Sequence, residues 1–224
     1  MQGRHELKHS INYCDYIVLR DQLKYLMQRD AHADSNGVYR VRSLYFDTPQ
    51  DKALREKQDG LDAREKFRIR RYLNASDDIK LEKKSKKNGL SYKTSANLTA
   101  TEVLSIQNND LSWMLSDPRA LVRELYTKMK NQQLAPKTIV DYLREPFTST
   151  VSNVRITFDR EIRTGLYSQD FMNDNLPTLP VGDEIVVMEV KFDQFIPSHI
   201  LAALQLGNRR AASCSKYALG RIYG

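Results

Sequence analysis

Basic side chains alternate with apolar ones in two neighbouring segments of the sequence, residues 64–72 and 79–84. Successive side chains of an extended chain point to opposite faces, so each segment predicts a strand with one cationic face. The first face contains Lys66, Arg68, Arg70 and Tyr72, and the second contains Lys80, Glu82 and Lys84. Like charges repel each other across strands, and such a face favours an anionic ligand. The alternative is the solvated outer face of an ordinary sheet.

Phosphate is the anion that suits this arrangement. Guanidinium groups bind phosphate through two parallel hydrogen bonds, and Lys adds a point charge. Carboxylates at Glu6, Glu82 and Glu189 lie among the cations, and two roles stay open for them: internal ion pairs, or ligands of Mg²⁺ or Mn²⁺ that bridge phosphate oxygens. Glu189 is the strongest metal candidate because an isolated acid in an apolar strand needs a strong partner. Phosphoryl transfer at such a site depends on positioning and charge neutralisation.

Eight segments have the alternation or composition of strands: residues 3–12, 39–47, 64–72, 79–84, the stretch after Asn88-Gly89, 138–147, 153–159 and 184–192. Helices are expected at 15–28, from Thr48-Pro49 to Gln58, within 99–133, at 198–206 and at 213–219. The charged face of most strands would be the wrong face for a sandwich core. A β-barrel resolves this conflict, because its polar side chains line a wet lumen and its apolar side chains face covering helices.

The fold class expected from this pattern is α+β, an eight-stranded antiparallel β-barrel tunnel with amphipathic helices packed on the outside. We expect one domain over residues 1–224, with a helical insertion at about 99–135. Arg71 and Lys83 alternate away from the lumen, so they are expected to be ordinary solvated charges.

Composition narrows the classes of partner. The formal net charge of +7 favours a polyanion, whether nucleic acid, polyphosphate, a nucleotide or an acidic membrane surface. An enclosed lumen would exclude a nucleic-acid duplex. No apolar run approaches the ~20 residues of a membrane helix and no signal peptide is evident, so we expect a cytoplasmic protein. Cys14 and Cys214 are expected to be free thiols in a reducing compartment.

Other kinds of site have little support. The histidines do not have the spacing of zinc ligands, and we expect surface or strand positions for His5, His9, His32 and His199. The sequence contains no phosphate-binding Gly-rich loop of the P-loop type, which disfavours nucleotide binding by that route.

Eight short motifs, in order along nearly the whole chain, resemble one known family. They are Arg4-x-Glu6-x-Lys8, Ser43-Leu-Tyr-Phe-Asp47, Phe67-Arg-Ile-Arg70, Leu81-Glu-Lys-Lys84, Tyr142-x-Arg144-x-x-Phe147, Val154-Arg-Ile-Thr-Phe-Asp159, Met188-Glu-Val-Lys191 and Ser213-Cys-Ser-Lys-Tyr217. Together they resemble the catalytic domain of the vacuolar transporter chaperone (VTC) polyphosphate polymerases. That domain belongs to the triphosphate tunnel metalloenzymes, alongside the adenylate-cyclase and thiamine-triphosphatase branch. Each motif is weak alone, whereas the ordered set is specific.

The resemblance implies an eight-stranded tunnel that binds a nucleotide triphosphate with Mn²⁺ or Mg²⁺ and moves the terminal phosphate onto polyphosphate. The partners implied are ATP or another nucleoside triphosphate, and inorganic polyphosphate or pyrophosphate. Glu189 would hold the metal, with Glu6 and Glu82 as further candidates. The catalytic residues implied are Arg68, Arg70, Arg144 and Lys216. The phosphate-binding residues implied are Lys8, Arg68, Arg70, Lys84, Lys93, Tyr142, Arg144, Arg155, Ser215 and Lys216.

One departure from the family pattern bears on the reaction. The hydrolase branch begins with two glutamates and a lysine at alternate positions, and Arg4 stands at the first of these. Loss of that metal ligand favours a polymerase-like phosphotransferase over a simple triphosphatase. A triphosphate or tripolyphosphate hydrolase and a non-catalytic polyphosphate-binding or nucleotide-binding module remain the alternatives. The chain is expected to resemble the stand-alone prokaryotic members, without a regulatory domain or membrane helices.

Overall fold

The computed structural model describes residues 4–30, 33–73, 75–182, 185–205 and 214–221. Its strands are β1 (His5–Ile11), β2 (Gln28–Arg29), β3 (Tyr39–Asp47), β4 (Arg64–Tyr72), β5 (Ala75–Lys87), β6 (Leu90–Leu98), β7 (Ala135–Ser149), β8 (Val154–Thr164), β9 (Leu179–Pro180) and β10 (Val186–Phe192). Its α-helices are α1 (Tyr13–Leu26), α2 (Lys52–Gln58), α3 (Ala100–Gln107), α4 (Ala120–Gln132), α5 (Ser198–Leu204) and α6 (Lys216–Gly220). The predicted element boundaries at residues 3, 184, 206 and 213 lie outside the described residues, as does His32.

Eight long strands form one antiparallel sheet in the order β1-β10-β8-β7-β3-β4-β5-β6. The short strands extend it, with β2 beside β7 and β9 beside β8. The sheet curls, which brings Glu6 of β1 within electrostatic range of Lys84 of β5. Strands β1 and β6 are its two edges, and no backbone pairing joins them within the described ranges. The predicted α+β class and eight-stranded antiparallel tunnel architecture are confirmed.

Apolar side chains on the outer face of the sheet pack against two groups of helices. On one side, Ile69 and Leu81 share a buried cluster with Val122 of α4. On the other side, Phe158 shares a second buried cluster with Leu19 of α1. Burying each such side chain stabilises the fold by roughly 1.5–3 kcal/mol. The outward direction of these side chains leaves the polar alternate positions facing the lumen.

One wall of the lumen is nevertheless apolar, which strand alternation alone does not predict. Tyr45 of β3, together with Val140 and Tyr142 of β7, forms a buried cluster with Tyr217 of α6. Gly220 allows α6 to lie directly on β7, because a Cβ at this position would be 2.6 Å from Val140 Cγ2. Helix α6 is therefore an exception to the outer helices: it packs against the inner side of the sheet, and cationic side chains line the rest of the lumen.

Local sequence signals set several element boundaries. Asn88 and Gly89 have φ angles of 53° and 76° and join β5 to β6, as expected for a two-residue hairpin turn. The Thr99 hydroxyl accepts a hydrogen bond from the Glu102 backbone N–H, and the Glu102 carboxylate accepts one from the Thr99 N–H. This capping box satisfies two backbone donors at the start of α3.

The helix predicted from Thr48-Pro49 begins only at Lys52. A turn closed by a hydrogen bond from the Asp51 N–H to the Thr48 carbonyl occupies the intervening residues. The carboxylate of Asp47 accepts a hydrogen bond of 2.8 Å from the Ala53 N–H. The start of α2 is therefore capped from the end of β3 and also by the expected residue, because the Thr48 hydroxyl accepts a 3.2 Å hydrogen bond from the Lys52 N–H.

Arg71 and Lys83 are not the solvated charges that alternation predicts. Arg71 is only 5% exposed, forms an ion pair with Asp174, and places its Cζ 5.4 Å from the centroid of the Phe171 ring. Lys83 is half-buried and forms an ion pair with Glu124 of α4. The prediction was wrong because α4 and the loop after β8 cover these positions, and such contacts join residues far apart in sequence.

Two further expectations concern the chain as a whole. Cys14 and Cys214 are both free cysteines, as predicted. Within the described ranges, no helix combines the length and the apolar character that crossing a membrane requires.

Candidate functional site

A buried carboxylate organises three cations from adjacent strands. Glu82 of β5 is fully buried and pairs with Arg68 and Arg70 of β4 at 2.7 and 3.0 Å, and with Lys93 of β6 at 2.7 Å. Arg68 also donates a 3.3 Å hydrogen bond to the hydroxyl of Tyr45. Burial opposes ionisation of Glu82, but the charges of the three cations outweigh it and lower the pKa of the carboxyl. We call these four charged residues, Glu82, Arg68, Arg70 and Lys93, the Glu82 cluster.

A second buried carboxylate, Asp159 of β8, holds two cations on another part of the lumen. Arg144 of β7 donates two hydrogen bonds to it, of 2.6 and 2.7 Å, and Lys216 of α6 lies 2.5 Å away. Both cations lie near the ring of Tyr142, with the Lys216 Nζ 4.9 Å and the Arg144 Cζ 5.3 Å from its centroid. Burial lowers the pKa of Lys216, but the charge of Asp159 outweighs it and raises the pKa above its ordinary value.

The hydroxyl of Tyr142 is buried and has no hydrogen-bond partner among the described residues. Burial alone would raise its pKa, but the positive charges of Arg144 and Arg68 reverse the effect and lower it. A buried hydroxyl left without a partner costs about 1–3 kcal/mol. This hydroxyl therefore suits an acceptor that enters the lumen with a ligand.

For two lysines of the lumen, the described residues provide no carboxylate partner. Lys66 of β4 lies opposite Lys84 of β5, and Lys84 lies opposite Lys93 of β6, so the three form a row across the strands. Within the described part of the chain, neither Lys66 nor Lys84 forms an ion pair. Burial, together with the charges of Lys8 and Arg68, lowers the pKa of Lys66 to about 7. Burial and the charge of Lys191 lower the pKa of Lys84 well below its ordinary value.

Charges of both signs alternate across β1 and β10. Lys8 lies opposite Glu189, and Glu6 lies opposite Lys191. Lys8 pairs with Glu6 at 2.6 Å, and Lys191 pairs with Glu189. Burial and the carboxylate of Glu189 oppose ionisation of Glu6, but the cations of Lys84, Lys8 and Lys191 outweigh them and lower its pKa to about 2.

Cations predominate in the lumen as a whole. Nine basic side chains and four carboxylates interact there, so positive charge is in excess among the described residues. The basic residues are Lys8, Lys66, Arg68, Arg70, Lys84, Lys93, Arg144, Lys191 and Lys216, and the acidic residues are Glu6, Glu82, Asp159 and Glu189. Such a concave cationic surface favours a flexible polyanion.

Comparison with protein families agrees with this geometry. The family model described as the VTC domain matches residues 3–223, nearly the whole chain. The chain belongs to the VTC domain family. A comparison with curated proteins gave no match.

Solved structures show the same fold at low sequence identity. The VTC domain described here is similar to a candidate adenylate cyclase from Bacillus halodurans, with a TM-score of 0.53 and 14% identity over 91% of this chain and 87% of that one. It is also similar to a candidate adenylate cyclase from Vibrio parahaemolyticus, with a TM-score of 0.51 and 12% identity over 97% of this chain and 98% of that one. These similarities support the tunnel fold.

Most side chains implied as phosphate ligands come together in the lumen of this VTC domain. Arg155 and Ser215 have local partners instead. Arg155 of β8 lies 2.8 Å from Asp30 and donates a 2.9 Å hydrogen bond to the Tyr39 hydroxyl. The Ser215 hydroxyl accepts a hydrogen bond from the Ala218 N–H at the start of α6. Arg4, which stands where the hydrolase branch has a metal ligand, pairs with Asp193 at 2.7 Å.

Three charged side chains of the lumen were not among the site residues predicted from the sequence. Lys66 shares the alternation of Arg68, so the strand pattern already indicated it, but no family motif includes it. Asp159 and Lys191 end two of the recognised motifs, and their charges could have been counted there. The ion pair of Asp159 with Arg144 joins strands paired in a register that the sequence does not specify.

Two carboxylates of the VTC domain fit a metal that is shared with a phosphate. Among the described residues, no group of three Asp, Glu, His or Cys side chains is arranged to hold a metal. Glu6 and Glu189 nevertheless face the same lumen from adjacent strands and interact with each other. Mg²⁺ is commonly held by one or two carboxylates together with substrate phosphates and water. Glu82 forms internal ion pairs with the three cations that surround it, which is the other role that the sequence left open for these carboxylates.

Proposed function

We propose that this VTC domain is a metal-dependent phosphotransferase that moves the terminal phosphate of ATP onto inorganic polyphosphate in its lumen. The reaction would take place in the cytoplasm, where ATP is available. The observation that carries the proposal is a pair of lysines, Lys66 and Lys84, for which the described part of the chain supplies no carboxylate partner, inside a lumen that already has an excess of positive charge. A chain of phosphates supplies the missing negative charge along its whole length.

The reaction needs little covalent chemistry from the protein. A terminal oxygen of the polyphosphate chain attacks the γ-phosphorus of ATP and forms a new P–O bond. The bond between that phosphorus and the β–γ bridging oxygen breaks, and its electron pair leaves with ADP. Because the attacking oxygen is already anionic, no side chain has to remove a proton. Catalysis therefore depends on positioning and on stabilisation of charge.

The cations that already have carboxylate partners are suited to stabilising the charge that develops during the reaction. Arg68 and Arg70 are fixed by Glu82, and Arg144 and Lys216 are fixed by Asp159. Groups already held in position stabilise the negative charge of the transferring phosphate without reorganising during the reaction. The hydroxyl of Tyr142, which has no partner in the described residues, would donate a hydrogen bond to a phosphate oxygen.

A divalent metal fits beside these groups. Glu6 and Glu189 are the carboxylates that would hold Mn²⁺ or Mg²⁺, and the metal when bound supplies further neutralisation of the phosphate oxygens. The variant Glu189→Gln should therefore lose metal-dependent activity and keep its affinity for polyphosphate. Unchanged metal dependence in this variant would remove Glu189 from the ligand set.

The test is an assay of the purified protein with ATP, Mn²⁺ and a short polyphosphate primer. We expect ADP and longer polyphosphate chains to appear together. Release of orthophosphate alone would show a triphosphate or tripolyphosphate hydrolase. Tight binding of polyphosphate without turnover under any divalent metal would show a binding module.

A matched pair of variants separates the lumen from general surface charge. Arg144→Gln should lower kcat by about a hundredfold, the effect of removing one donor that stabilises transition-state charge. Lys87→Gln removes a cation from the exposed end of β5 and should leave the rate unchanged. Equal losses in both variants would contradict a catalytic lumen.

A further inference from the structure

The two edge strands of the sheet leave a lengthwise seam in the wall of the lumen. Strand β1 pairs only with β10 and strand β6 only with β5 in the described part of the chain. A fully closed barrel would have no free edge. Within the described residues, no backbone hydrogen bonds therefore close the lumen along this side of the sheet.

The cations of the neighbouring wall are arranged along this route. Lys93 stands on the edge strand β6 with its side chain 45% exposed, Lys84 lies opposite it on β5, and Lys66 lies opposite Lys84 on β4. Adjacent strands are about 4.8 Å apart, so this row runs across the strands, from the seam into the lumen. On the other side of the seam, β1 presents Glu6 and Lys8.

A carboxylate of β1 and a cation of β5 interact across the seam only at a distance. Glu6 of β1 interacts electrostatically with Lys84 of β5, but the two do not form an ion pair in the structure, where Glu6 contacts Lys8. Interstrand hydrogen bonds would have to break to open any other part of the sheet. At the seam, only side-chain interactions have to yield.

We infer that the lumen accepts internal segments of a polyphosphate chain, which pass sideways between β1 and β6 along the row Lys93, Lys84 and Lys66. This inference rests on the proposed function and specifies how its polyphosphate ligand enters the lumen: chains whose two ends are both inaccessible still bind, although they have no free end to accept a phosphate. A tunnel that has to be threaded would bind only chains with a free end.

The experiment uses a long polyphosphate carrying biotin at both ends. Its affinity for the protein is measured with the ends free of streptavidin and again with streptavidin bound to both ends. We expect the two dissociation constants to agree within about threefold, because the blocked ends need not enter the lumen. Loss of binding only when both ends are blocked would overturn the inference and show threading, while the proposed function would stand. Failure of the unblocked chain to bind would overturn the proposed function itself.

Two variants establish that the blocked chain occupies the lumen. Lys84→Met should weaken binding of the blocked and unblocked chains by the same factor, and an effect on the unblocked chain alone would overturn the inference. Lys93→Gln should slow association of the blocked chain severalfold at low salt, because it removes the first cation at the seam. Lys87→Gln, at the exposed end of β5, is the control and should associate at the wild-type rate.

Discussion

The Glu82 cluster and the two lysines without carboxylate partners, Lys66 and Lys84, share one wall of the lumen but differ in how their charges are balanced. In the cluster, one buried carboxylate contacts three cations. Lys66 and Lys84 are opposite each other on the same two strands, β4 and β5, and their nearest charged neighbours include further cations. A single hairpin therefore contains cations that pair with a buried carboxylate and cations for which the described residues supply no such partner.

Because of this difference, we expect the two groups of cations to contribute to different properties, one to the stability of the fold and the other to ligand binding. A cation fixed by a buried carboxylate contributes to the folded state and is already in position for a ligand, but it gains little new pairing when phosphate arrives. A desolvated cation without a partner destabilises the empty protein and gains a partner from the ligand. We therefore expect Glu82 to matter most for folding, and Lys66 and Lys84 to matter most for affinity.

The largest expected effect is on stability, in Glu82→Gln. Removal of one partner from a buried ion-pair group leaves the others uncompensated, so the free energy of unfolding should fall by about 3–5 kcal/mol. Urea denaturation measures it. Glu124→Gln is the matched control, because Glu124 pairs with Lys83 on the outer face and is 36% exposed. Its effect should be within about 1 kcal/mol, and equal effects in the two variants would contradict the structural role of Glu82.

Lys84→Met should weaken ligand binding without lowering stability, in contrast to Glu82→Gln. Loss of a charged hydrogen bond to phosphate should weaken polyphosphate binding roughly tenfold to a hundredfold, while the stability of the empty protein stays the same or increases. Titration calorimetry and urea denaturation measure the two quantities in parallel. A large loss of stability without ligand would show that Lys84 is a structural ion-pair partner and would remove the contrast with Glu82.

A smaller effect is expected in the pH dependence of stability. The pKa of Lys66 is about 7 in the folded protein and higher in the unfolded chain, so the folded state binds fewer protons above neutral pH. The destabilisation is fully present below pH 7 and is relieved as the pH rises toward the unfolded pKa. The free energy of unfolding should therefore increase by roughly 1–2 kcal/mol between about pH 6.5 and 8.5.

The variant Lys66→Met isolates this contribution, since other titrating groups affect it and the wild type alike. Subtraction of its pH profile from that of the wild type should leave a rising curve. A flat difference would mean that Lys66 is not desolvated as the structure indicates.

The contrast between the two groups of cations was only partly visible in the sequence. Alternation at period two places Lys66, Arg68 and Lys84 on the lumen side, and the structure agrees. Alternation does not determine which cation has Glu82 as its partner, because that depends on the register of β4 against β5 and on the curl of the sheet. Arg71 was misjudged for a related reason: its partner Asp174 lies in a loop about a hundred residues away.

The apolar side of the lumen could not be predicted from the sequence for the same physical reason, because it depends on contacts between residues far apart in the chain. Tyr142 was implied as a phosphate ligand of the lumen, but it packs with Tyr45 and with Tyr217 of α6. The pattern of α6 gives no sign that it enters the lumen. The close approach of α6 to β7 explains why position 220 is a glycine. A single glycine in a sequence does not by itself indicate such packing.

Proton uptake on binding tests the central claim most directly. At about pH 8, Lys66 is mostly neutral in the empty protein, and a bound phosphate chain should restore its charge. Calorimetric titration with long-chain polyphosphate in two buffers of different ionisation enthalpy measures the protons exchanged. The wild type should take up about one proton or more per site occupied. The double variant Lys66→Arg, Lys84→Arg should take up fewer, because Arg stays protonated throughout. Equal binding heats for the wild type in both buffers would contradict a role for these lysines as unpaired cations that the phosphate chain charges.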